Sequence, residues 1–356
     1  MKNRIDLRSD TVTRPTEEML DAMRHAEIGD DGREGDPTVG KLEALAAEKL
    51  GMEAGIFLPS GTMSNHIALL VHCPQRATVL VEEKAHILRS EMGFVSVLAS
   101  LFYKPVPSDR GAMHLDVLES MIQPKLAIGE LPTGVICMET THNAHWGRPL
   151  PLEHMKAVHT LGKKYGIPVH TDGARLFNAA VALGVPVSEI AQHTDSVGFC
   201  ISKGLSSPIG SVLCGTKKFI ADAKAYRRLI GGTMRQAGVV AAAGIISLEK
   251  MVDRMAEDHA NAKKLAKGLH AIDASLTQPE RVDSNILMVD FSKSGRSSEA
   301  WAEDLNRHGL WTRGSSGPVM RIVINRHVSA PDIDTVLGVF KQVYAGASAP
   351  MAAAGE

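Results

Sequence analysis

The chain has 356 residues, 44% hydrophobic and 22% charged, enough to bury a large core and to form two domains. Its 39 Lys and Arg against 40 acids argue against a nucleic-acid footprint, and no apolar run approaches the ~20 residues of a membrane span. The opening MKNRIDLRSD has no apolar signal-peptide core. The expectation is a cytoplasmic protein with Cys73, Cys137, Cys200 and Cys214 reduced and packed.

Residues 1–30 read as an N-terminal arm, with Pro15 opening a helix that can pack on either domain or on a partner subunit. FLPSGTMSNHIALLVH (57–72) is an apolar approach, a Ser-Gly-Thr turn and a helical pattern. Its start has two readings. Free backbone N–H groups at the helix start with the Thr62 hydroxyl make an anion site; alternatively, Ser60 or Thr62 is an ordinary N-cap.

GVICMET (134–140) reads as a buried strand and LEHMKAVHTLGKKYG (152–166) as an amphipathic helix ended by Gly166. IPVHTD (167–172) is a strand, ARLFNAAVALG (174–184) a helix and DSVGFCIS (195–202) a strand. Short β-branched runs between helices of roughly ten to fifteen residues predict an α/β large domain, a mostly parallel sheet flanked by helices, over 31–245. Such sheets take their ligand at the carboxyl ends of the strands, where Thr140, Asp172 and Lys203 stand.

Lys203 lies between two apolar runs in SVGFCISKGLSSPIGS. By itself it reads as a strand-end lysine with its head in water, and Asp172 with Arg175 in HTDGAR as a cap and a surface ion pair. Together with the anion cradle these residues meet the needs of pyridoxal 5′-phosphate: an amine, a carboxylate for its ring nitrogen and donors for its phosphate. HNAH (142–145) carries two histidines with no matching acid or thiol beside them, so no metal is expected.

From residue 246 the pattern changes. SLEKMVDRMAEDHANAKKLAKGLHAI reads as one long amphipathic helix, followed by strands SNILMVDF (284–291) and VMRIVIN (319–325) around a helix near WAEDLNRHG. This predicts a smaller α+β domain over 246–345 and a disordered tail over 346–356.

DLRSDTVTRPT, GDPTVGKLE, LPSGTMSNHIAL, AHILRSE, ETTHN, HTDGARLFNAAVALG, DSVGFCISKGLSSPIGS and GGTMRQAG follow one another in the order found in a known family. The chain resembles the threonine aldolases, the β-hydroxy-amino-acid lyases of pyridoxal-phosphate fold type I. The resemblance implies Lys203 as the covalent anchor of the cofactor, Asp172 as the ring-nitrogen partner and Ser60, Gly61 and Thr62 at the phosphate. It implies Arg235 as a phosphate cation from a neighbouring subunit of a homo-oligomer, a dimer of dimers. His86 matches the ring-stacking histidine and His142 one near the substrate β-hydroxyl; either imidazole suits the base. Ser9, Arg175 and Arg321 match the groups that hold the amino-acid carboxylate, to which guanidinium forks are suited.

The implied reaction is retro-aldol cleavage of L-β-hydroxy amino acids to glycine and an aldehyde. β-Elimination, transamination or racemisation on the same cofactor, and a non-catalytic binding protein, remain open alternatives. Arg33, Gly35, Ser90, Ser206, Ser207 and Trp146 depart from the family pattern. Ser90 and Trp146 suggest a pocket for a β-substituent larger than methyl, while Arg33 reads first as a solvated residue.

Overall fold

Runs of β-branched and apolar residues without polar interruption suit strands covered on both faces. In the computed structural model, which describes residues 4–73 and 76–348, seven strands pair into one sheet, and most of them are runs of this kind. They are β1 (Ala54–Leu58), β2 (Thr78–Glu82), β3 (Phe102–Val106), β4 (Thr133–Glu139), β5 (Val169–Asp172), β6 (Ser196–Cys200) and β7 (Ser211–Gly215). The sheet order is β1-β7-β6-β5-β4-β2-β3. β7 runs antiparallel to both β1 and β6, and the remaining neighbours are parallel. Every residue of β2, β4, β5, β6 and β7 is buried, whereas the edge strand β3 exposes Phe102 and Tyr103 and carries Pro105.

The crossover from β4 to β5 passes through α4 (Leu152–Tyr165), and that from β5 to β6 through α5 (Leu176–Leu183). Gly166 and Gly184 end these helices in the left-handed conformation, as expected from the sequence. The sheet belongs to the unit Arg14–Asp253. In the same unit α1 (Glu17–Arg24) lies on α6 (Gly238–Lys250). Pro15 does not open α1. Thr16 caps it, its hydroxyl accepting the Met19 N–H, and Pro15 sits one residue earlier.

The second unit comprises Met1–Thr13 and Arg254–Glu356. β8 (Ile286–Asp290) and β9 (Val319–Val323) pair antiparallel, with α7 (Met255–Ile272), α8 (Ser298–Arg307) and α9 (Ala330–Ser348) around them. Ile5–Asp6 pairs with Leu310–Trp311, and Leu7 joins Leu269, Leu287, Trp301, Ile322 and Phe340 in the core. The segment expected as one helix from residue 247 is two. α6 ends at Lys250, and after a turn Arg254 grips the buried Asp258 through two hydrogen bonds in the first turn of α7. Residues 346–348 continue α9, and 349–356 lie outside the described residues.

Asp36 ties the large unit together near its start. It caps α2 (Pro37–Leu50), Oδ1 accepting the N–H groups of Thr38 and Val39. Its Oδ2 accepts those of Gly29 and Gly238, the latter from the start of α6. Asp36→Ala leaves four donors without this acceptor and is expected to cost about 2–4 kcal/mol in chemical denaturation, with Asp36→Asn intermediate because an amide oxygen still caps α2.

Candidate active site

Parallel strands bring their last residues to one edge of the sheet, and here that edge is ionic. Glu82 ends β2, Glu139 ends β4 and Asp172 ends β5, with Glu139 and Asp172 in register; Lys203 follows β6. Asp172 is buried. Its Oδ1 accepts the Ala174 N–H at 3.1 Å and its Oδ2 an Asn65 amide hydrogen at 2.9 Å. Burial, then Glu139 and Glu91, push its pKa up, while His86 and Lys203 oppose the shift. Lys203 enters a turn whose Ser206, at φ +64°, donates its N–H to the Lys203 carbonyl. The Ser206 hydroxyl is buried and has no hydrogen-bond partner among the described residues.

The start of α3 (Gly61–His72) satisfies both readings of SGT. Ser60 is the N-cap, its hydroxyl accepting the Met63 N–H at 3.2 Å. Gly61 and Thr62 then form the first turn, whose N–H groups have no intrahelical acceptor. A Cβ on Gly61 would meet the Cys200 Sγ at 2.6 Å, so the missing side chain lets this helix end approach β6, the strand that leads to Lys203. Arg235 is held within the chain by Asp30, at 3.2 Å, and its side chain is largely exposed.

His86 begins the short helix His86–Arg89 and donates its N–H to Glu139. Its Nδ1 lies 3.0 Å from Glu91 Oε1, and this hydrogen bond holds the imidazole pKa above its ordinary value. A third of the His86 side chain is exposed. His142 is fully buried. Its Nε2 lies 2.8 Å from Glu82 Oε2, and His145 Nε2 lies 3.1 Å from Glu82 Oε1. Against burial, Glu139 and Glu82 raise the His142 pKa.

Sequence spacing offers HNAH only Glu139, which lies 3.9 Å from His142 Nε2; the fold supplies Glu82 to both histidines. The two histidines therefore do have a matching acid, contrary to the expectation from sequence. Glu82, His142 and His145 have a composition suited to a cation, as do His86, Glu91 and Asp172. The Glu82 oxygens, however, also accept the Ser108 hydroxyl and the Lys84 N–H, two donors to each oxygen. Protons already satisfy that carboxylate.

Arg175 is buried in the turn between β5 and α5. In the other unit Ser9 and Arg321 line one cavity with Arg8 and Arg313. Arg8 is committed to Asp6 by two side-chain hydrogen bonds and lies over the Trp311 ring. Of the residues that depart from the family pattern, Arg33 is exposed and pairs with Asp30, Ser90 is exposed and Trp146 is half-buried at φ +63°. The sequence did not single out Asn65, Glu82, Glu91 or Glu139. Asn65 follows Thr62 on α3 and bridges Asp172 and Glu91, a contact visible only once α3 lies beside the strands.

An amine, a buried carboxylate, an accessible imidazole and a helix N-terminus packed against the lysine strand fit pyridoxal 5′-phosphate. Because the closeness of α3 to β6 depends on Gly61, Gly61→Ala is expected to weaken cofactor binding by about tenfold, some 1.4 kcal/mol, in a fluorescence titration.

Comparison with known proteins agrees with this geometry. A family model described as β-eliminating lyase matches residues 6–293. The chain is 41% identical over 344 residues to a probable low-specificity L-threonine aldolase of Arabidopsis thaliana, covering 96% of this chain and 97% of the relative. It is 40% identical over 333 residues to the low-specificity L-threonine aldolase of Escherichia coli K12, covering 93% and 97%. A solved structure described as a threonine aldolase of Leishmania major superposes with a TM-score of 0.82 at 17% identity, covering 95% of this chain and 99% of that one. The same fold, reached at such low identity, and the much closer sequence relatives place the chain in the β-eliminating lyase family, among its L-threonine aldolases.

Proposed function

We propose that the large-unit site, with pyridoxal 5′-phosphate bound, cleaves L-β-hydroxy amino acids between Cα and Cβ to give glycine and an aldehyde. The observation that carries this reading is the sheet edge itself, where buried Asp172 ends β5 and Lys203 follows the neighbouring strand β6, beside His86. When bound, the cofactor supplies the electron sink for the breaking bond. Lys203 would be its covalent anchor. Asp172 keeps the ring nitrogen protonated. Ser60, Gly61 and Thr62 hold the phosphate, and Arg235 serves the cradle of a partner subunit in a homo-oligomer. Arg175, Ser9 and Arg321 would bind the amino-acid carboxylate and so orient the substrate's Cα bonds.

Of the two imidazoles, His86 is the one a substrate can reach. It is partly exposed, whereas His142 is sealed and has its Nε2 bound to Glu82. His86 takes the β-hydroxyl proton, and His142 with Glu82 and His145 braces the wall behind it. A base must be neutral to act, and Glu91 raises the His86 pKa. The acid limb of kcat/KM therefore lies above the ordinary imidazole value of 6.5 and moves down in Glu91→Gln. A limb that does not move assigns the proton to another group.

Lys203→Ala should lose the visible absorption of the bound cofactor and all turnover; an active variant contradicts the assignment. Exposed Ser90 and half-buried Trp146 support a β-side that accepts more than methyl. A kinetic panel of threonine, allo-threonine, phenylserine and β-hydroxyaspartate should then favour a bulkier substrate. Threonine ahead of all of them by tenfold, about 1.4 kcal/mol, rejects the enlarged pocket.

A further inference from the structure

Behind Asp172 runs a buried hydrogen-bond chain that the cleavage chemistry does not use directly. Asn65 Nδ2 faces two carboxylates, Asp172 Oδ2 at 2.9 Å and Glu91 Oε1 at 2.8 Å. Two acceptors fix the orientation of the amide, so its Oδ1 faces His170 Nε2 at 3.2 Å and requires a proton there. His170 is fully buried in β5, and burial lowers its pKa to about 4, so the ring is neutral and its Nδ1 is an acceptor. Ser196, the first residue of β6, lies 2.9 Å from that nitrogen and must donate its hydroxyl hydrogen. The Ser196 oxygen then accepts from His72 Nε2 at 2.7 Å. Burial lowers the His72 pKa to about 4 as well. His72 ends α3 and lines a cleft of about 460 Å³ with Gly166, Asp195 and Lys218.

Each donor in this sequence points toward Asp172: His72 to Ser196, Ser196 to His170, His170 to Asn65, Asn65 to the carboxylate. Aligned hydrogen bonds polarise one another, and this alignment favours negative charge at the receiving end. We propose that His72, Ser196, His170 and Asn65 are positioning residues, a one-directional relay that keeps Asp172 ionised between Glu91 and Glu139. The inference rests on Asp172 as the ring-nitrogen partner. The other titratable groups facing Asp172 are His86 and Lys203, which oppose the upward shift of its pKa, and neither belongs to the relay.

The test reads cofactor binding by apoprotein, without substrate. Affinity for pyridoxal 5′-phosphate is measured by fluorescence against pH for the parent, Ser196→Ala and His72→Phe; the phenyl ring preserves the stacking of His72 on Phe219, whose centroids are 4.6 Å apart. In both variants the acid-side loss of affinity should move to higher pH, by about one unit in Ser196→Ala and less in His72→Phe, with the high-pH plateau unchanged. Profiles that superpose on the parent overturn the relay. ¹⁵N spectra of the parent apoprotein give an independent check: His170 should be the neutral Nε2–H tautomer, and an Nδ1–H ring reverses the chain and overturns it. Since turnover is not read, either negative result leaves aldol cleavage standing.

Discussion

A carboxylate buried at the end of a central strand is the constraint around which the large unit is arranged. Asp172 loses most of its water and has two further acids, Glu91 and Glu139, among its neighbours. Left alone, such a group takes up a proton. The surrounding structure works against that. The Ala174 N–H and the Asn65 amide give a donor to each oxygen, Lys203 and His86 bring positive charge, and Glu91 is itself tied to Asn65 and His86. In the proposed role of Asp172, a cofactor with a protonated ring nitrogen would bring it one more donor.

The topology determines which residues meet there. Parallel β4, β5 and β6 end together, so residues from Glu139 to Lys203 converge although 64 positions apart in sequence. The antiparallel β7 returns directly beside β6, and the turn between them fixes the backbone of Lys203 through the Ser206 N–H. Gly61 then allows α3 to approach the same strand. The helix end, the lysine and the carboxylate are held by backbone and close packing rather than by flexible side chains, and a site that orients one bond for cleavage needs such support.

Much of this was legible in the sequence because the signals are local. Apolar runs ending in Asp172 and Lys203 marked the strands, and Gly166 and Gly184 marked the helix ends. The break between α6 and α7 was not legible, since no Gly or Pro interrupts SLEKMVDRMAED and the amphipathic pattern continues through it. The acids were missed for a related reason. Glu82 is 60 residues from His142, and Glu91 is 26 from Asn65, so their pairing exists only after the sheet has assembled. Arg33, by contrast, behaves as composition suggests, exposed and paired with a nearby aspartate.

The chemistry that defines this site is scission of the Cα–Cβ bond of its substrate and not of the Cβ–O bond. The most direct measurement is the mass balance of L-threonine consumed by the cofactor-loaded protein. Glycine and acetaldehyde formed in equal amounts, together accounting for the threonine lost, is the predicted result; 2-oxobutanoate with ammonia, the products of elimination, would contradict it.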